Sequence, residues 1–207
     1  MTLYPNICFY IYIYSLIRPT TKLQCIDHVV GNLEIGTTDN IASWYRSVFK
    51  FSNIFYGTTS TGKTGLKTIA VGNGKEVRIP LLEPLKTDNI GQNQEFLYYN
   101  NGPGIQHIAF STHNIIQSVH NLKERGVKFQ AVPKEYYSLL EEKIRRANDL
   151  KFDLPPVEYL KRQGILLDFD SEGYLLQTFA QVIFDRPTLF IEIIERHNHN
   201  ASFVFFC

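Results

Sequence analysis

Two stretches of the chain follow one plan, and that repeat restricts the available folds more than any other feature. Residues 25–51, CIDHVVGNLEIGTTDNIASWYRSVFKF, read as an apolar strand carrying a histidine, a polar turn with an Asp39-Asn40 helix start, an amphipathic helix, and a strand entry at Lys50-Phe51. Residues 104–129, GIQHIAFSTHNIIQSVHNLKERGVKF, do the same. Both strands carry Ile-x-His followed by aliphatics, and Lys50 lies 22 residues after His28 where Lys128 lies 21 after His107. A duplication is the simplest source of this match.

Further strand-like runs follow each helix: FSNIFY, LKTIAV and EVRIPLL in the first copy, and GILLDFD, GYLLQTFAQVIF and PTLFIEIIER in the second. Each copy is therefore β-α-β-β-β, and the fold class is α+β. The second copy carries an insertion at about 133–163, whose helical spacing and Pro155-Pro156 break predict a surface excursion. No low-complexity tract separates the copies. We expect one domain over residues 23–199, with modules at about 23–100 and 101–199, a divergent segment at 1–22 and a short divergent tail at 200–207.

Lysine and arginine number 21 against 20 acids, leaving no basic surplus for nucleic acid, so a small-molecule partner is expected. Cys8, Cys25 and Cys207 form no C-x-x-C pair and no even framework. This excludes a cysteine-built zinc site and favours a reducing, cytoplasmic setting. The apolar run NICFYIYIYSLI (6–17) is shorter than the ~20 residues a bilayer span needs, and its Ile/Tyr alternation reads as a strand, so no membrane role is expected and residues 1–22 read as an appended segment of unknown role, with a secretory signal as the alternative.

Gly57 to Thr64 fits the phosphate-loop pattern G-x-x-x-x-G-K-[ST]. A working phosphate loop needs a helix after it, because backbone amides at the helix start hold the phosphates. Here Ile69-Ala70-Val71 looks extended and Gly72-Asn73-Gly74 halts any helix. The stretch reads as a loop between two strands.

Chemistry gathers where the modules meet. If they pair edge to edge, His28 and His107 occupy equivalent places and face a shared cavity; Ile26, His28 and Val30 share one strand face, as do Ile105, His107 and Ala109. In the last strand Phe190, Glu192 and Ile194 share a face, aiming a lone carboxylate into apolar surroundings where an uncompensated charge is costly. A metal accounts for it, and two histidines plus one carboxylate form the facial triad of non-haem Fe(II) oxygenases. A single strand histidine is more often a core residue than a ligand, and Arg196 or Arg186 are ordinary partners for Glu192. Recurrence at equivalent places favours the ligand reading. His197 and His199 form an H-x-H that could also bind metal, but they follow the last strand and read as a capping or gate segment, and His113 and His120 as solvent-facing.

The motifs IDHVVGN, GPGIQHIAFST, RGVKF, VPKEYY, LLDFDSEGYLLQTF and DRPTLFIEIIERHNH closely resemble the C-terminal half of the 4-hydroxyphenylpyruvate dioxygenase family, within the vicinal-oxygen-chelate superfamily, from about Leu23 to His199. The resemblance implies a glyoxalase-like fold, two modules forming a half-open barrel around a metal. It places Fe(II) on His28, His107 and Glu192. The implied reaction takes 4-hydroxyphenylpyruvate and O2 to homogentisate and CO2 by oxidative decarboxylation, ring hydroxylation and acetate migration, in tyrosine and phenylalanine catabolism. Phe179, Phe190, Gln92 and Gln177 match substrate-contacting positions; strand parity agrees for Gln177 with Phe179. Gln106 also matches, although a regular strand points it away from His107. Thr68 stands in place of a serine and keeps the hydroxyl.

Two departures bear on activity. Leu82 replaces an asparagine that helps hold substrate and forms no hydrogen bond, which keeps hydroxymandelate formation open as a product alternative. After RHNH the family continues into a helix that closes the site, where this sequence runs NASFVFFC, and the family's metal-free N-terminal barrel has no counterpart in residues 1–22. These keep open an inactive metal-binding fragment or pseudoenzyme, and a homo-oligomer formed through uncovered apolar surface.

Overall fold

The computed structural model describes residues 20–60, 63–147 and 150–199. Eight strands, β1 (Leu23–Asn32), β2 (Ser52–Ser60), β3 (Gly65–Gly72), β4 (Arg78–Pro84), β5 (Gly104–Thr112), β6 (Leu166–Phe169), β7 (Tyr174–Phe179) and β8 (Phe190–His197), form one mixed sheet in the order β2-β3-β4-β1-β5-β8-β7-β6. The order is a mirrored repeat. In each copy the first strand pairs in parallel with the last, the remaining two follow antiparallel, and the copies meet through the antiparallel pair β1–β5. The sheet curls into the half-open barrel of the glyoxalase-like fold.

The helices are α1 (Thr38–Phe49), α2 (Gln92–Tyr99), α3 (Ile115–Glu124), α4 (Lys134–Arg146) and α5 (Val157–Gln163). Helices α1 and α3 are the crossovers of the two copies, and each begins at a buried glutamate from its own module's last strand. Glu83 Oε2 accepts from Thr38 N at 3.0 Å, and Glu195 Oε2 accepts from Ile115 N at 2.7 Å. Exposed amides at a helix start favour a carboxylate. If His28 and His107 are equivalent, so are Gly31 and Phe110, and so are their cross-strand partners Leu81 and Ile193. Two residues on, Glu83 falls on Glu195; one residue back, Pro80 falls on Glu192. The duplication therefore keeps the helix clamp in both copies and the inward carboxylate in one.

Odd and even positions divide the sheet. Ile69, Val71 and Leu81 join Leu33 and Ala42 in a core beneath α1, while Leu167, Leu176 and Ile193 join Ile115, Val119, Tyr137, Leu140 and Leu160 beneath the helices of the second copy. Truncating a fully buried member of such a core to Ala typically loses ~2–5 kcal/mol. The opposite, concave face carries His28, Val30, His107, Glu192 and the polar positions discussed below.

The structure corrects three details. The 133–163 insertion is no excursion: Tyr137, Leu140 and Leu160 are core residues, and the Tyr136 hydroxyl both accepts from Leu167 N (2.9 Å) and donates to Leu167 O (2.8 Å), satisfying the open edge of β6. Apolar helix positions that look solvated in isolation become core once β6 supplies a surface. An additional helix, α2, joins the modules. Strand β7 ends at Phe179, with Ala180 bridging to Phe129, and residues 181–184 are exposed instead of continuing the strand.

The motif at 57–65 belongs to an antiparallel hairpin, with Gly57 opposite Thr68 and Ser60 opposite Gly65. The helix that would hold phosphate is replaced by β3. Cys25 is exposed and free; Cys8 and Cys207, the 6–17 run and most of the two terminal segments lie outside the described residues. Among the described residues no helix is long and apolar enough to cross a membrane.

Candidate metal centre

Three neighbouring strands deliver the triad: β1 brings His28, β5 His107 and β8 Glu192. The register aligns them, since Ala109 of β5 lies opposite both His28 and Glu192, and His107 opposite both Val30 and Phe190. The three residues are 2%, 4% and 1% exposed, so little water reaches them. Glu192 Oε2 lies 3.3 Å from His28 Nε2 and 3.1 Å from His107 Nε2, and the imidazole centroids are 5.6 Å apart. One ligand atom from each residue falls within 4.8 Å of the others.

The electrostatics follow from that crowding. Burial disfavours the Glu192 carboxylate, yet the adjoining His28 and His107 outweigh it and hold the group down at about 2. Burial likewise pulls both imidazoles down. For His28 it is overcome by Glu192 and Asp27, so the net shift is upward; for His107 burial prevails and the ring favours the neutral form. Among the described residues His107 Nε2 and Glu192 Oε1 are buried without a hydrogen-bond partner. Orphaned buried acceptors are rare and costly, and a cation between these atoms would satisfy them. Two imidazoles and one carboxylate on one side leave further coordination positions open, and this donor set suits Fe(II).

Arg196 and Arg186 do not partner Glu192: Arg196 binds Asp27, and Arg186 lies 3.6 Å from its neighbour Asp185. His197 closes β8 rather than following it, stacked on Tyr174 with centroids 4.3 Å apart and 2.6 Å from Glu195 Oε1. His199 is buried, 3.3 Å from Asp170 Oδ2, while His113 and His120 are exposed.

The expected substrate contacts divide. Phe190 stacks on His107 at 4.8 Å, Phe179 meets it edge-on at 6.0 Å, and the two phenylalanines stand perpendicular at 5.8 Å. Gln177 shares their face, opposite Ile194. Thr68 and Leu82, directly paired, lie on the same concave face in the first module, beside Asn32. Gln106 is not turned away: its Oε1 is 3.0 Å from His107 Nδ1, because the ladder is irregular there. Gln92 stands apart, exposed at the first position of α2 and lining a cavity of about 250 Å³ with Thr64, Leu66 and Pro84. Its neighbour Asn93 is the one that faces inward, exchanging hydrogen bonds with Asn32. Sequence reasoning also missed Asp27, whose adjacency to His28 was visible but whose inward aim depends on a bulge.

The chain belongs to the Glyoxalase/Bleomycin resistance protein/Dioxygenase superfamily, whose family model matches residues 26–177. Within that superfamily it is similar to the 4-hydroxyphenylpyruvate dioxygenases: that of Danio rerio is 41% identical over 186 residues, covering 87% of this chain and 46% of the relative. The chain thus spans about half the length of the curated relatives it matches. Among solved structures, a triple mutant of 4-hydroxymandelate synthase from Streptomyces coelicolor superposes with a TM-score of 0.75 at 34% identity, over 90% of this chain and 51% of the other. Methylmalonyl-CoA epimerase from Mycobacterium tuberculosis shares the fold alone, with a TM-score of 0.51 at 16% identity over 86% of this chain and 92% of the other.

Proposed function

We propose that residues 23–199 form one catalytic domain of an Fe(II)-dependent dioxygenase that converts 4-hydroxyphenylpyruvate and O2 to homogentisate and CO2 in tyrosine and phenylalanine catabolism. The observation that carries this reading is the buried triad with its orphaned ligand atoms, set in a chain about 40% identical to dioxygenases of that name. His28, His107 and Glu192 hold the metal. When bound, Fe(II) supplies dioxygen activation and a Lewis-acid hold on the 2-oxo acid, which side chains cannot provide.

The chain's own residues do the positioning. The perpendicular rings of Phe179 and Phe190 form an apolar corner against which an aromatic ring packs edge-to-face or offset. Gln177 and Thr68 offer hydrogen bonds from opposite walls of the concave face, and the burial of the triad limits access of water that would quench a reactive oxidant. Gln106 acts on His107 and Gln92 at the far end of the face. The substrate carries its own 2-oxo acid, so no separate 2-oxo acid is consumed. The free Cys25 accords with a reducing, cytoplasmic setting.

Leu82 favours a second product. Its apolar side chain sits opposite Thr68, where an asparagine would have contacted substrate, and the hydroxymandelate synthase superposes well on this chain. One experiment separates the readings: load the purified chain anaerobically with Fe(II), admit air and 4-hydroxyphenylpyruvate, and resolve the products by chromatography. Homogentisate is the expected product. Hydroxymandelate alone would replace the main reading with the second, and neither product from folded, iron-loaded protein would overturn both.

A further inference from the structure

Each triad histidine follows a residue that the β1–β5 ladder skips. The register passes from Ile26↔Phe110 to His28↔Ala109, omitting Asp27, and from Val30↔His107 to Gly31↔Ile105, omitting Gln106. A bulged residue leaves the pleat and its side chain is re-aimed. Both are buried and both turn onto the ring of the histidine that follows: Asp27 Oδ1 lies 2.7 Å from His28 Nδ1, and Gln106 Oε1 lies 3.0 Å from His107 Nδ1. The same local device thus occurs once in each copy.

The two acceptors differ in charge and in anchoring. Asp27 is gripped by the fork of Arg196, with Nε at 2.9 Å from Oδ2 and Nη2 at 2.7 Å from Oδ1, and Arg78 Nη1 stands 3.8 Å from Oδ2. A bidentate guanidinium fixes the plane of a carboxylate as well as its position. Arg196 is on β8, four residues beyond Glu192, so the strand that supplies the carboxylate ligand also supplies the anchor for the first histidine's partner.

We propose that Asp27, clamped by Arg196, is the positioning residue for His28. It accepts the Nδ1 proton, which sets the tautomer, fixes the ring plane and leaves the Nε2 lone pair directed at the site. Gln106 does the same for His107 with a neutral acceptor. His28 is then the stronger and more rigid of the two imidazole donors. This inference rests on the metal reading of the triad and assigns roles to residues outside it.

The test uses Co(II), whose visible absorption reports ligand geometry. Affinity is measured by chelator competition in the wild-type chain, Asp27→Ala, Asp27→Asn, Arg196→Lys and Gln106→Ala, with metal-free melting recorded for each. Loss of an outer partner of a metal-bound histidine typically weakens binding about 10- to 100-fold. We expect Asp27→Ala to fall in that range with an altered Co(II) spectrum, Asp27→Asn to recover part of the loss, and Gln106→Ala to lose less. Should Asp27→Ala fail to fold, Arg196→Lys decides: it keeps a cation but not the fork, and should shift the spectrum and weaken binding. Wild-type binding matched within about threefold by the foldable variants, with unchanged spectra, overturns the positioning role alone. A wild-type chain that takes up no Co(II) overturns the metal reading and this inference with it.

Discussion

Replacing Glu192 by glutamine asks whether the carboxylate is ionised before any metal arrives. Burial alone would push Glu192 above its ordinary 4.5, but the paired imidazoles hold it at about 2. A carboxylate whose folded value lies below its unfolded value stabilises the fold above the unfolded value, and that stability is lost as pH falls through the folded one. The interval corresponds to roughly 3 kcal/mol at neutral pH, of which roughly 2 kcal/mol is gone by pH 3. Chelator-treated wild type should therefore lose ~2 kcal/mol more than Glu192→Gln between pH 7 and pH 3, in urea melts analysed at constant slope. Asp27, also held low, acts in the same direction but is present in both proteins and cancels. His28 acts oppositely: its raised value gives stability present below the ordinary imidazole range and lost as pH rises through its folded value, a contribution that also shrinks without Glu192. Equal pH slopes in the two proteins, once the His28 titration read by NMR in each has been subtracted, would refute the argument, because Glu192 would then be protonated in the fold.

Four further outcomes follow from the same geometry. Divalent metal at about 100 times its dissociation constant should stabilise the wild-type chain by ~2.7 kcal/mol, raising the melting temperature by roughly 5–10 °C, and the shift should vanish in His107→Ala and Glu192→Ala; a shift that persists in Glu192→Ala removes that residue from the site. Phe190→Ala should lose ~3–5 kcal/mol in urea denaturation because the ring is buried against His107, and a loss under about 1 kcal/mol would show that it is not packed there. Leu82→Asn places an amide in an apolar position at a cost of about 1–3 kcal/mol, and should shift the product ratio towards homogentisate on chromatography if Leu82 steers the outcome. Titration calorimetry with MgATP should be flat for wild type and Lys63→Ala alike, since β3 stands where a phosphate-binding helix would start.

The triad was legible because duplication gave two histidines one address, and strand parity then chose Glu192 among the acids of the last strand. Strand alternation also placed Gln177, Phe179 and Phe190 on its face. What parity could not deliver were the departures from it. Asp27 and Gln106 look outward in any regular strand, and only a ladder irregularity, set by pairing between residues some eighty positions apart, turns them inward. The insertion was misjudged for a related reason: Tyr136, Tyr137 and Leu160 have amphipathic spacing whose partner surface, the outer side of β6, is assembled from a different part of the chain. Gln92 was assigned with its neighbour Asn93 unnoticed, because nothing local distinguishes which residue of a first helical turn points inward.

Pro80 at the place equivalent to Glu192 has a consequence for the history of such a chain. A symmetric ancestor built from two identical copies would carry either no inward carboxylate or two, flanking the histidines from both sides. Two would crowd the centre with anions and close the positions that a substrate must occupy. With a proline on one side, the place equivalent to Glu192 carries no acid, and a metal held by His28, His107 and Glu192 would keep that side open to reactants. The division of labour between the copies is thus written in a single position: one half supplies the anion, and the other supplies room.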